Sequence, residues 1–250
     1  MKKKVTKMDF ILVGIPFDGS QTFRKGSAKG PDALRKIFPK LETFVSGVNL
    51  AENAFIEDAG DFEREKFSLK SGKFPIIIGG DHSITRFAVP AIAASQPYNK
   101  PKSVLVFDAH PDCEDSDGHD GFARRLAEMG YNIFIYKPRC MSATEKTFIE
   151  NSSNVKIVSE NDLKEIEGPV YVSIDYDAFD PSVLPAVGNP EPDGLTFKEI
   201  IDAIAAVADK TVAVDFVELT PTEKDTELWN SVAGKLVYVV IAEIVKSRKG

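Results

Sequence analysis

The chain has 250 residues, 43% of them apolar and 28% charged, which is long enough to bury a sizeable core and far from the low-hydrophobicity signature of disorder. Its 38 acidic against 31 basic side chains leave a formal charge of −7, which argues against a nucleic-acid partner, because phosphate binding needs a basic surface. The two cysteines, Cys113 and Cys140, are too few for a disulfide framework and fit a reducing, cytoplasmic setting, and no stretch is expected to reach the roughly 20 apolar residues that cross a bilayer.

The chain begins MKKKVTKMD, and an apolar run follows at 10–15. A basic start before an apolar run raises the question of a signal peptide, but Gly14 and Pro16 break the run and no small-residue cleavage site precedes Asp18, so a first β-strand is expected. Further runs rich in Val, Ile and Phe come at 54–56, 75–78, 104–107, 133–136, 155–158, 170–174 and 212–217. Most are continuously apolar, as in strands covered on both faces. Helix-like segments lie between and after them at 31–37, 85–94, 121–129, 196–208 and 225–246. This alternation predicts an α/β fold in which a parallel sheet carries helices on both faces through right-handed crossovers. No repeat or linker divides the chain, so one domain over 1–250 is expected.

In such sheets ligands bind beyond the carboxyl ends of the strands. Three strand ends share one chemistry: PIIIGGDHS ends in Asp81 and His82, VLVFDAHPD in Asp108, His110 and Asp112, and VYVSIDYDAFD in Asp175, Asp177 and Asp180. The i, i+2 spacing sets Asp108, His110 and Asp112, and likewise Asp175 and Asp177, on a common side of an extended backbone. Five carboxylates and two imidazoles are expected to converge. Such a group needs a counter-charge, and an oxygen-rich set with a minority of imidazole suits manganese or a related divalent ion, with room for two ions about 3.5–4 Å apart. Taken singly, His82 or Asp180 would serve a turn or a helix cap; three strand ends repeating the pattern point to a metal centre.

These segments carry a resemblance to the ureohydrolase family of arginases and agmatinases. The matches are G-G-D-H-S at 79–83, D-A-H-x-D at 108–112 and S-x-D-x-D-x-x-D-P at 173–181, with support from GIPFDGSQTFRKGSAKGPDALR, DAGD at 58–61 and VDFVELTP at 214–221. The resemblance implies a three-layer α/β/α fold around a central, mostly parallel sheet of about eight strands, and a homo-oligomer, trimer or hexamer. It implies two Mn(2+) ions per subunit, one held by His82, Asp108, Asp112 and Asp175 and the other by His110, Asp108, Asp175 and Asp177. It further implies hydrolysis of a guanidino C–N bond to urea and an amine, with Glu218 pairing with the substrate guanidinium and His119 shuttling protons to the leaving amine.

The segment CEDSDGHDG at 113–121 departs from the family pattern. Arginases place Asn, Ser and Gly donors there to receive an amino-acid carboxylate, whereas Glu114, Asp115, Asp117 and Asp120 would repel one and attract an amine. A small cationic guanidino substrate is therefore expected, agmatine giving putrescine and urea before others. Arginine, a formimino compound on the same scaffold and a non-catalytic metal-binding role remain as alternatives.

Overall fold

The computed structural model describes residues 7–96, 99–221 and 226–249. The N-terminal half begins with β1 (Met8–Ile15) and α1 (Gly30–Ile37), then a small antiparallel hairpin of β2 (Phe44–Val45) and β3 (Val48–Asn49), α2 (Leu50–Asn53), β4 (Ala54–Asp61), β5 (Phe74–Gly79) and α3 (Thr85–Ser95). There follow β6 (Ser103–Phe107), α4 (Phe122–Glu128), β7 (Asn132–Tyr136), α5 (Ala143–Asn151) and β8 (Val155–Val158). The chain closes with β9 (Val170–Asp175), α6 (Phe197–Val207), β10 (Thr211–Val217) and α7 (Thr226–Ser247). All eight strands foreseen in the sequence form, in one sheet of order β4-β1-β5-β10-β9-β6-β7-β8 with every described pairing parallel.

Successive strand residues point to opposite faces, and both faces are covered. Ile76 and Ile78 join one core with Phe107, Ile174, Phe216 and residues of α6 and α7, while Ile77 joins the other with Val106, Ile135 and the α3 and α4 residues Val89, Ile92, Phe122 and Leu126. The result is the expected three-layer α/β/α arrangement.

Besides the short hairpin β2–β3 and helix α2, which were not foreseen, three elements differ from expectation. Strand β4 runs on to Asp61 although 57–61 is polar, because an edge strand needs only one partner for its backbone and leaves its side chains in solvent. Helix α5 was not foreseen; only Phe148 and Ile149 reach the core, so its apolar period is faint, and its one clear signal is a capping box between Ser142 and Glu145. Finally, Glu227–Ser247 is long and apolar enough to cross a membrane, with a mean hydropathy of 1.5, contrary to the sequence expectation. Its apolar character has another cause: most of this stretch is buried, and α7 packs on α1, α6 and the sheet. The expected start of this helix at Asp225 lies outside the described residues.

The end of β5 is fitted against the loop that follows β1. Gly80 donates to the Ile15 carbonyl at 2.9 Å, and a Cβ on Gly80 would stand 1.9 Å from the Phe17 carbonyl oxygen. Neither backbone can yield without moving the residues that follow. Gly80→Ala is expected to cost about 3 kcal/mol or more, whereas Gly72→Ala, whose Cβ would meet nothing within 4 Å, should be close to neutral. Urea unfolding midpoints of the two variants check the contrast.

Candidate metal centre and active site

Strands β5, β10, β9 and β6 are neighbours at the middle of the sheet. The chain crosses from β5 to β6 early, builds β7 and β8 outward, and only later fills the gap with β9 and β10, so the four carboxyl ends lie side by side where the winding reverses. Just beyond them stand His82, Glu218, the Asp175–Asp177 pair and the Asp108–Asp112 segment.

The backbone pins most of these carboxylates by one oxygen and leaves the other free. Asp108 Oδ1 accepts from the His110 amide at 2.6 Å, Asp175 Oδ1 from the Asp177 amide at 2.7 Å, and Asp177 Oδ1 from the Ala109 amide at 3.0 Å. The free oxygens, together with Asp108 Oδ1, converge on two imidazoles. His82 Nδ1 lies 2.9 Å from Asp108 Oδ2, 3.3 Å from Asp112 Oδ2 and 3.2 Å from Asp175 Oδ2. His110 Nδ1 lies 3.4 Å from Asp108 Oδ1 and 3.2 Å from Asp177 Oδ2. The His82 ring is fixed by stacking on Phe122, with centroids 4.0 Å apart.

These groups form two overlapping clusters of metal-ligand type, His82 with Asp108 and Asp112, and His110 with Asp108 and Asp177, sharing Asp108. His82 Nδ1 and Asp108 Oδ2 are both buried and lack a hydrogen-bond partner of good geometry. Burial and the neighbouring Asp108 push the Asp112 and Asp177 carboxyls above the usual range, and burial with Asp177 and Asp108 does the same to Asp175. Burial alone would depress His82 and His110, yet the aspartates around them outweigh it and hold both imidazoles toward protonation. The raised proton affinity of these groups is the response of a charge cluster that a divalent cation would relieve.

Glu218 and His119 stand beside the clusters. Glu218 Oε1 accepts from the His82 amide at 2.9 Å, and Oε2 accepts from the Gln21 side-chain amide. Burial, then Asp81, raise the Glu218 carboxyl well above its ordinary value. His119 Nδ1 is 4.0 Å from Glu218 Oε1 and its Nε2 is 3.1 Å from Thr22 Oγ1, while burial lowers its affinity for protons. Asp112 and Glu218 both adopt left-handed backbone, with φ of 50° and 65°, a strained conformation for these residues that concentrates at functional sites. All of them except the deeper His82 and Asp108 line one cavity of about 150 Å³.

Two of the six aspartates named at these strand ends turn away. Asp81 caps the turn after β5, accepting from Ser83 through one oxygen and from the Ser20 amide and hydroxyl through the other, so the convergence holds four aspartates instead of five carboxylates from these segments. Asp180 accepts from the Ser182 and Gly194 amides in a loop. The acidic tract also divides. Asp115 pairs with Arg125 and Arg124, and Asp117 with Arg86 and Arg125, whereas Glu114 and Asp120 line the cavity. Conversely, Gln21, Arg24 and Asn189 reach the cavity without having been singled out. Asn189 touches His110 Nε2 at 3.1 Å, and Arg139 fastens the turn after β9 through the Asp177 and Glu191 carbonyls. The only sequence signal for Gln21 was its place in the GIPFDGSQTFRKG segment.

Comparison with known proteins gives a consistent picture. The family model described as the arginase family matches residues 8–242. An agmatinase of Pyrococcus horikoshii is 32% identical over 93% of this chain and 91% of its own length, and an N(1)-aminopropylagmatine ureohydrolase of Thermococcus kodakarensis is 32% identical over 96% and 92%. The solved agmatine ureohydrolase of Thermoplasma volcanium superposes with a TM-score of 0.78 at 27% identity, covering 97% of this chain and 92% of that one.

The crowding of like charge has a measurable cost in the metal-free protein. Because the folded Asp175 carboxyl lies above its unfolded value of 3.8, its penalty is absent below about pH 4 and grows as the pH rises through the folded value. Metal-free Asp175→Asn should therefore melt higher than the parent at pH 8, by about 2–4 °C if ~1 kcal/mol is recovered, with the gap closing toward pH 4. A lower melting temperature at pH 8 would contradict this.

Proposed function

The chain belongs to the arginase family, and on that premise we propose that it hydrolyses the bond between the guanidino carbon and the chain nitrogen of a cationic guanidino compound. Agmatine is the preferred substrate, giving putrescine and urea. The observation that carries this choice is the charge of the cavity wall. Besides Asp112, Asp175 and Asp177 of the metal clusters, Glu114, Asp120, Glu145 and Glu218 line the cavity, against the imidazoles of His110 and His119 and against Arg24, whose guanidinium is taken up by the Pro185 and Val187 carbonyls. Such a wall favours a ligand with a positive charge at each end and disfavours an α-carboxylate.

The buried, partnerless His82 Nδ1 and Asp108 Oδ2, within a set of two imidazoles and four carboxylates, fit divalent metal. His82, Asp108, Asp112 and Asp175 would hold one ion and His110, Asp108, Asp175 and Asp177 the other, with manganese suited to this donor set. When bound, the two ions offset the aspartate charge and bring the ionisation of a water into the neutral range.

The chain's own side chains supply the remaining requirements. Glu218, held by the His82 amide and by Gln21, offers its carboxylate to the guanidinium and fixes the carbon in the cavity; the substrate's charge stabilises the ionised form that burial otherwise disfavours. The departing amine needs a proton as the C–N bond breaks. His119, kept neutral by burial, accepts the proton released by the attacking water and passes it to the amine nitrogen. Glu114 and Asp120 receive the distal ammonium. Composition, charge and the buried α7 support a cytoplasmic enzyme in one domain, and the family resemblance supports a homo-oligomer.

Manganese-loaded protein assayed with agmatine, N(1)-aminopropylagmatine, arginine, guanidinobutyrate and formiminoglutamate should give the highest kcat/KM on a diamine-type guanidine. Arginine turned over as well as agmatine would overturn the specificity. His119→Ala should lower kcat by about 10²–10⁴-fold with melting temperature unchanged. Glu114→Gln with Asp120→Asn should raise KM for agmatine about tenfold and leave that for guanidinobutyrate level, as steady-state kinetics will read.

A further inference from the structure

Behind the metal clusters lies a buried carboxylate that the proposed chemistry does not use. Asp215, on β10, is fully buried and sits opposite Ser173 of β9 in the sheet register. Three hydroxyls donate to it: Ser173 Oγ to Oδ1 at 2.6 Å, and Thr85 Oγ1 and Tyr171 OH to Oδ2 at 2.8 Å each. Ser173 Oγ also lies 2.8 Å from His82 Nε2. Burial raises the Asp215 carboxyl, and His82 and the three hydroxyl donors oppose that rise; in its ionised form it only accepts, so the Ser173 proton points at Asp215 and the Ser173 oxygen is left to accept from the imidazole. With Asp215 ionised, the line runs in one direction, from the His82 Nε2 proton to Ser173 Oγ and from the Ser173 proton to Asp215.

We propose that Asp215, acting through Ser173, is a positioning residue that keeps the His82 proton on Nε2 and so presents the Nδ1 lone pair to one of the two metals. This rests on the assignment of His82 as a metal ligand. The need for it is on the same ring. Nδ1 faces carboxylate oxygens of Asp108, Asp112 and Asp175 at 2.9–3.3 Å, and these would draw a lone imidazole proton to the wrong nitrogen. A fixed acceptor behind Nε2 opposes that pull. A negative charge relayed to the far nitrogen also makes the ring a better donor, as carboxylate–histidine–metal arrangements do, here with a serine inserted. His110 has no contact with this line; its Nε2 faces Asn189 and Glu191, which makes the effect specific to one ion.

The test is a Mn(2+) titration of metal-depleted protein, followed by calorimetry and by the electron paramagnetic resonance of free and bound ion. Two ions bound by the parent chain support the metal assignment; fewer than two would overturn that assignment whatever the variants do. Given two ions, Asp215→Asn and Ser173→Ala should each weaken one site by about 10–100-fold and leave the other within about threefold. Tyr171→Phe removes a contact to Asp215 outside the line to His82, so it should lower the melting temperature but leave both affinities unchanged. Equal weakening of both sites, no weakening in a folded Asp215→Asn or Ser173→Ala, or a Tyr171→Phe effect as large as theirs would overturn the relay. Should Asp215→Asn not fold, Ser173→Ala alone decides.

Discussion

Repulsion among four aspartates held at the carboxyl ends of two parallel strands is the constraint around which the molecule is arranged. Left to themselves Asp108, Asp112, Asp175 and Asp177 would separate or take up protons. The backbone prevents separation for three of them, because the Asp108, Asp175 and Asp177 side chains each accept an amide hydrogen bond that fixes one oxygen. The sheet prevents relaxation, since β6 and β9 are adjacent and packed on both faces. A fold that holds like charges together in this way trades stability for affinity toward cations.

Strain and close approach near the cluster follow from the same requirement. Left-handed backbone at Asp112 and Glu218 aims two carboxylates inward where an extended chain would carry them past the cavity. Gly80 lets the loop after β1 lie directly on the end of β5, and Asp81 ties the two segments through Ser20. That loop then delivers Gln21 to Glu218 and Thr22 to His119. On the other side Arg139 joins the turn after β9 to the 191–192 loop through backbone carbonyls. Long-range contacts of this kind turn a row of strand ends into a cavity with a defined wall.

The strands and the metal-type residues were legible in the sequence because each signal is strong and local. Continuous apolar runs mark doubly covered strands, and charged residues at the end of such runs have no cheap structural explanation when the pattern repeats three times. The cavity wall was less legible for an equally physical reason. Gln21, Asn189 and Arg139 are polar loop residues, and only the folded chain shows that each faces His110, Glu218 or the turn that carries Asp177. The tract after Asp112 was read as uniformly acidic, yet Arg86, Arg124 and Arg125 neutralise Asp115 and Asp117 outside the cavity and leave Glu114 and Asp120 within it. Asp215 sat unnoticed in an apolar run, where a single carboxylate signals little until its three donors are seen.

The central claim is that this cluster exists to hold two cations. Anomalous diffraction from crystals grown with Mn(2+) tests it most directly. Two peaks are expected, one within His82, Asp108, Asp112 and Asp175 and one within His110, Asp108, Asp175 and Asp177, at comparable occupancy. A single peak, or none between these residues at saturating Mn(2+), would contradict the account.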